Sequence, residues 1–301
     1  MERVATGRAG AGLTFLTVLA AVLWPADALA WGAGIHVAQG SFVLESLEII
    51  HPAIAAVLQA HPLDYIYGCI SADIFLGKGY RRRPDHCHNW SVGMRVLERS
   101  ATGPTRAYAY GYLTHLAADV VAHNYFIPRF LLGTPASSQL GHVYWEFRAD
   151  RFIRKKFWTL ASTVVSRHNH DNDAHIKTVM NRSRLRFGTK KMLFKRAVHL
   201  TDLISWRDRV EHVRAPARRL SRADVSLLNN YSLNLILDFL RNPEKAVCLN
   251  YDPVGTDNTV HALRLRREGR GLFRRAAYNG EFEAPEEIRA MDIVDLVTDR
   301  L

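Results

Sequence analysis

Tyr112-Leu113-Thr114-His115-Leu116-Ala117-Ala118-Asp119-Val120-Val121-Ala122-His123-Asn124 reads as one turn after another of buried helix with a polar stripe. Residues four apart on an α-helix lie about 40° from one another around its axis, so His115, Asp119 and His123 share a face. The neighbours are Leu, Ala and Val. Ionisable groups in such company are costly unless they are paired or bound to metal. Imidazole and carboxylate are zinc ligands, and His-x-x-x-Asp aims two of them at one point. A His–Asp ion pair along a helix has the same spacing, so this stretch alone leaves both readings open.

Gly141-His142-Val143-Tyr144-Trp145-Glu146-Phe147-Arg148-Ala149-Asp150 repeats the pattern, with His142 and Glu146 four apart among bulky apolar residues. Two helices bearing such stripes can face each other, which is how metal sites in helical bundles are built. Upstream, Ser71-Ala72-Asp73-Ile74-Phe75-Leu76-Gly77 offers a carboxylate in an apolar run. Asp85-His86-Cys87-His88-Asn89-Trp90 packs several potential ligands into six residues. On spacing alone, His-Cys-His is either a small metal clip or a polar loop.

The amino terminus carries Arg3 and Arg8, the apolar run Leu13–Trp24, and the small-x-small ending Ala28-Leu29-Ala30. These are the three parts of a secretory signal. The run of 12 residues is short for a membrane span, which needs about 20, and no later segment is long and apolar enough. Residues 1–30 are therefore expected to be a signal peptide, and the product secreted or periplasmic. Cleavage after Ala30 would expose Trp31-Gly32-Ala33-Gly34-Ile35-His36. The free α-amine and carbonyl oxygen of Trp31 can close a five-membered chelate on a metal, with His36 completing it.

Together these pieces resemble the zinc-dependent phospholipase C family, whose superfamily includes the catalytic domain of glycosylphosphatidylinositol-specific phospholipase D and, more distantly, the S1/P1 nucleases. The resemblance covers roughly residues 31–154. It implies an all-α, multi-helix bundle holding up to three zinc ions. It further implies that Trp31, His36 and Asp119 hold one ion, and that Asp73, His86, His115 and the bridging Asp119 hold its neighbour. His123, His142 and Glu146 are implied to hold a third. Between His86 and His88 the family's Asp-His pair followed by aromatics favours His86, with His88 a rival because of Trp90. The family's last helix ligand falls further along than His123, which follows Asp119 by only four residues. Asp73 is expected to orient or deprotonate the attacking water, or to serve as a plain ligand.

The implied reaction is phosphodiester hydrolysis, with phospholipids the expected substrate. The alternatives are an exported nuclease of the S1/P1 type and a metal-stabilised envelope binding protein without turnover. Net charge is +11 and the leader's charges cancel, so the mature chain keeps all of it. Between Arg151 and Leu220 there are 18 Lys/Arg against 5 Asp/Glu. Such a stretch is either a solvated helical face or one drawn to an anionic membrane surface, with nucleic acid a weaker candidate. Three cysteines, Cys69, Cys87 and Cys248, are too few for a disulfide framework. The expected organisation is a zinc-binding core over residues 31–160 and a basic helical part over 161–301, continuous with the core or an extension of it. Further helices are expected over Ser41–Leu58 (interrupted at Pro52), Leu63–Leu76, Tyr108–Ile127 (stopped by Pro128), Gly141–Trp158, Ser183–Val198, Arg222–Leu240 and Pro285–Leu301. Residues 78–84 are expected to form a basic loop.

Overall fold

The structure is a computed structural model describing residues 31–75, 85–132, 138–167, 169–180, 184–203, 220–268 and 280–293. The expected signal peptide and basic loop, and the last residues of the expected carboxy-terminal helix, lie outside these. Among the described residues every regular element is helical, as the sequence predicts.

The centre is α5 (Gly103–Val121), of whose 19 residues 15 are buried. A helix apolar nearly all round must be enclosed by others. Here α3 (Pro62–Ser71), α4 (Trp90–Glu98) and α11 (Arg222–Arg241) pack directly on it. Its start is fixed by a capping box between Thr102 and Thr105, which satisfies amides that the first turn leaves without partners. Around this centre lie α1 (Ala33–Leu44), α2 (Pro52–Ala60), α6 (Ile127–Leu131) and α7 (Ser138–Asp150). The remainder are α8 (Lys155–Ser166), α9 (His170–Val179), α10 (Arg184–Leu203), α12 (Thr256–Glu268) and the single turn α13 (Glu286–Arg289).

α3 and α5 cross in backbone contact. A Cβ on Gly68 would lie 2.1 Å from Tyr108 O, and one on Gly111 would lie 2.0 Å from Tyr65 O. Only glycine at both positions lets the two backbones touch. This contact sets the height of α3 against the His115–Asp119 stripe.

Pro52 interrupts the first helical stretch as expected, and opens α2. Pro128 does not stop the central helix. The chain passes through a wide π-turn at Ala122–Phe126 into α6, where Pro128 occupies the first turn. An amide is not needed there, so the ring is tolerated. The expected helix Gly141–Trp158 is two, α7 and α8, parted at Arg154, which is extended (ψ 143°). At the carboxy-terminal end the helix closes at Arg289 after one turn, with residues 290–293 non-helical. All three cysteines are buried free thiols. Burial pushes the thiols of Cys69 and Cys248 far up from their ordinary range, which makes them unreactive.

Candidate metal centre

His115 and Asp119 project from α5 into an interior where both are fully buried. The Gly68–Gly111 crossing puts Cys69 O 2.8 Å from His115 Nδ1. That nitrogen therefore donates, and Nε2 carries the lone pair. Asp73 sits on the 3-10 turn Ala72–Ile74 that continues α3, and is 1% exposed. His88 comes from the loop before α4. Tyr112 Oη donates to Cys87 O in that loop, tying it to α5 one turn before His115. Cys87 Sγ lies 3.4 Å from His88 Nδ1, so His88 Nε2 also faces inward.

Four side chains then converge. His88 Nε2 is 3.0 Å from His115 Nε2 and 3.0 Å from Asp119 Oδ2. His115 Nε2 is 3.1 Å from the same oxygen. Asp73 Oδ1 is 3.5 Å from His88 Nε2 and 3.7 Å from His115 Nε2. Tetrahedral zinc with bonds of about 2.0–2.1 Å requires ligand–ligand edges of about 3.3 Å. Five edges of this inner set bracket that value. The other oxygen of Asp119, Oδ1, faces His36 Nε2 at 3.4 Å. The His36 ring stacks on His115 with centroids 3.9 Å apart. Asp119 thus turns one oxygen to each of two imidazole sets, which is the disposition of a bridging carboxylate.

A second group lies beside the first. His142 Nε2 and Glu146 Oε1 on α7 are 3.3 Å apart. The His123 ring is 5.5 Å from that of His142 and 5.7 Å from that of His88. His123 stands in the π-turn, with Nδ1 3.7 Å from Asp119 Oδ2. Side chains bond carbonyls of this turn and of the loop against it. Asn124 Nδ2 donates to Val120 O at 2.9 Å and to Asp252 O at 2.7 Å, and Asn258 Nδ2 donates to Asn124 O at 3.2 Å. His123 Nδ1 donates to Pro253 O at 2.6 Å, leaving Nε2 as the lone-pair nitrogen.

Burial lowers the His36 imidazole, and the neighbouring His115 lowers it further. For His115, burial also pulls down, but Asp119 and Asp73 outweigh it and the net direction is up. Burial alone would raise Asp119, yet His115 and His123 hold it well below the usual carboxylate range. Asp119 is therefore anionic, and the imidazole nitrogens of His36, His88 and His115 are the atoms that surround it. His36 Nε2 and His123 Nε2 are buried with no hydrogen-bond partner among the described residues. A buried polar atom left so costs about 1–3 kcal/mol, and a cation among these atoms removes the cost. The donor set fits zinc.

Of the residues expected from sequence, His36, Asp73, His115 and Asp119 come together, and His123, His142 and Glu146 assemble alongside. His86 is buried with its Nδ1 accepting from the His88 backbone N–H at 3.1 Å, and the imidazole that closes on His115 and Asp119 is that of His88. Trp31 is completely buried, stacked on Phe126 at 4.6 Å, and its Nε1 donates to Ser232 Oγ at 3.1 Å. Its indole is thereby fixed between the π-turn and α11. The loop carrying Asp252 and Pro253 was not expected at the site, because backbone carbonyls leave no mark in a sequence.

This combination defines an all-α protein with His/Asp clusters suited to metal. Over residues 35–200 the chain matches the family described as zinc dependent phospholipase C, and it belongs to that family. Neither a curated protein nor a solved structure matches it. The matched span contains every expected ligand except Trp31.

Proposed function

We propose that the chain is an exported, zinc-dependent phosphodiester hydrolase acting on phospholipids. Membership of the zinc-dependent phospholipase C family supports the reaction class. The observation that carries the site is Asp119, whose oxygens face His36 on one side and His88 with His115 on the other.

Asp73, His88, His115 and Asp119 would hold one ion. Trp31, His36 and Asp119 would hold a second, and His123, His142 and Glu146 a third. His88 replaces His86 in the first set, because the inner edges close on His88. When bound, zinc supplies Lewis acidity toward phosphoryl oxygens and makes water acidic enough to ionise near neutral pH. The protein's part is to fix the donors. Cys69 O and Pro253 O hold His115 and His123 in the tautomer that presents Nε2. Asp73, with Oδ1 toward the imidazole pair, brings a carboxylate able to accept a hydrogen bond from the attacking water and orient it. No described helix is long and apolar enough to cross a membrane, so access to lipid would be peripheral. The basic stretch after Asp150 would supply attraction to anionic headgroups.

The test is metal analysis of the purified, processed protein together with turnover of phosphatidylcholine and of a water-soluble phosphodiester. Expected are bound zinc, up to three per chain, and hydrolysis abolished by a chelator. A metal-free protein, or turnover indifferent to chelation, overturns the proposal.

A further inference from the structure

The stripe on α7 does not end at Glu146. Asp150 follows at the next four-residue step and is 5% exposed, with Oδ1 lacking a hydrogen-bond partner among the described residues. Burial raises its carboxyl well above the usual range, the Ile35 backbone N–H opposes this, and the neighbouring charge that acts on it is Asp73, of the same sign. No metal role expected from the family fragments accounts for this carboxylate.

Its surroundings are the first residues of the described chain. A Cβ on Gly32 would lie 1.6 Å from Asp150 Oδ2 and 2.4 Å from its Cγ. Gly32 is the residue before α1, extended at ψ 166°, and brings no side chain to cap the helix. The first turn of a helix leaves amides that need acceptors and favours negative charge nearby. Asp150 reaches this turn from α7 against Gly32, and the Ile35 N–H, which itself donates to Gly32 O at 3.1 Å, draws on its carboxyl. The same turn carries Trp31 on one side of Gly32 and His36 on the other.

We propose that Asp150 is a positioning residue that seats the segment Trp31–Ile35 against α7 and so delivers the processed amino terminus to the centre. This rests on Trp31 being the terminal ligand, as proposed above. Gly32 is glycine because the carboxylate occupies the space of its side chain. Asp150 acts through Trp31 and His36 and touches no substrate.

The experiment uses processed, zinc-loaded protein and the variants Asp150→Ala, Asp150→Asn and Gly32→Ala. Two quantities are read: zinc per chain, and the rate at which an amine-reactive reagent modifies the α-amine with and without zinc. In the parent protein zinc protects the amine. Asp150→Ala and Gly32→Ala are each expected to lose about one zinc and to weaken protection by about 10- to 100-fold, the usual cost of removing a ligand's support. Asp150→Asn keeps the shape and an acceptor for Ile35 N–H, and is expected to restore protection to within about threefold of the parent (on the order of 0.7 kcal/mol). Full zinc and parent-like protection in Gly32→Ala overturns the proposal, whether or not Asp150→Ala folds. If zinc fails to protect the amine of the parent itself, the Trp31 assignment is what fails, and the role of Asp150 falls with it.

Discussion

The inner set around Asp119 and the outer set around His142 are built from the same residue types by different means. His115 and Asp119 stand on regular helix, and their partners are pinned by a glycine crossing and by Tyr112. His123 stands in a π-turn and takes its orientation from Pro253, 130 residues away. The inner set is thus organised by the bundle that folds the protein. In the outer set His142 and Glu146 stand on α7, while His123 depends on one irregular turn and on a loop from the carboxy-terminal part. Rigid elements place ligands more closely than loops do, so the inner ions should be the tighter ones. Staged removal of zinc with increasing chelator should therefore empty the sites in two steps.

The largest blow to both sets is Asp119→Asn. It removes charge from the one carboxylate that faces both imidazole groups, and loss of about 4 kcal/mol of charge stabilisation corresponds to about 10³-fold in turnover. Expected are at least that drop in kcat and reduced zinc content. Near-parent zinc and activity would break the bridging assignment. Next comes a paired substitution inside the inner set. His88→Ala should weaken zinc retention by about 100-fold, and His86→Ala by about tenfold or less, as an outer support. The reverse order, read by competition with a chelator, would restore His86 as the ligand. Asn124→Ala then separates inner from outer. It leaves Val120 O and Asp252 O without the amide that serves them. Expected are about 1–3 kcal/mol of lost stability in a thermal melt and weaker retention at the outer set alone. Equal weakening of both chelation steps would show that the π-turn supports the entire centre.

The same contrast governs what the sequence could disclose. The all-α fold and the His115–Asp119 and His142–Glu146 pairs were legible because helical periodicity places them whatever the tertiary detail. Pro128 misled, since a proline in the first turn of a new helix looks the same in sequence as one that ends the old. The choice between His86 and His88 turns on how a loop is tied to α5 by Tyr112, which neighbouring residues do not encode. The supporting carbonyls of Cys69 and Pro253 have no side-chain signature at all. Asp150 is the opposite case: its four-residue step from Glu146 was in view, but its meaning came only from Gly32 lying against it.

The smallest expected effect concerns Cys87, beside the inner set. Cys87 is 2% exposed, with Sγ 3.4 Å from His88 Nδ1, and His86, Cys87 and His88 also lie close enough to form a metal clip of their own. The edges at His88 Nε2 argue otherwise, because a ring whose Nε2 faces His115 and Asp119 turns only Nδ1 to the thiol. As a support for that ring, sulfur is replaceable by a hydroxyl, itself a donor and acceptor. Cys87→Ser should therefore change zinc retention and kcat by no more than about threefold, less than any histidine substitution of the inner set. A thiolate ligand behaves differently: its loss removes a bond to the metal and the charge that goes with it. A drop of tenfold or more in Cys87→Ser, with an equal drop in His86→Ala, would move the ion from the α5 stripe to the loop.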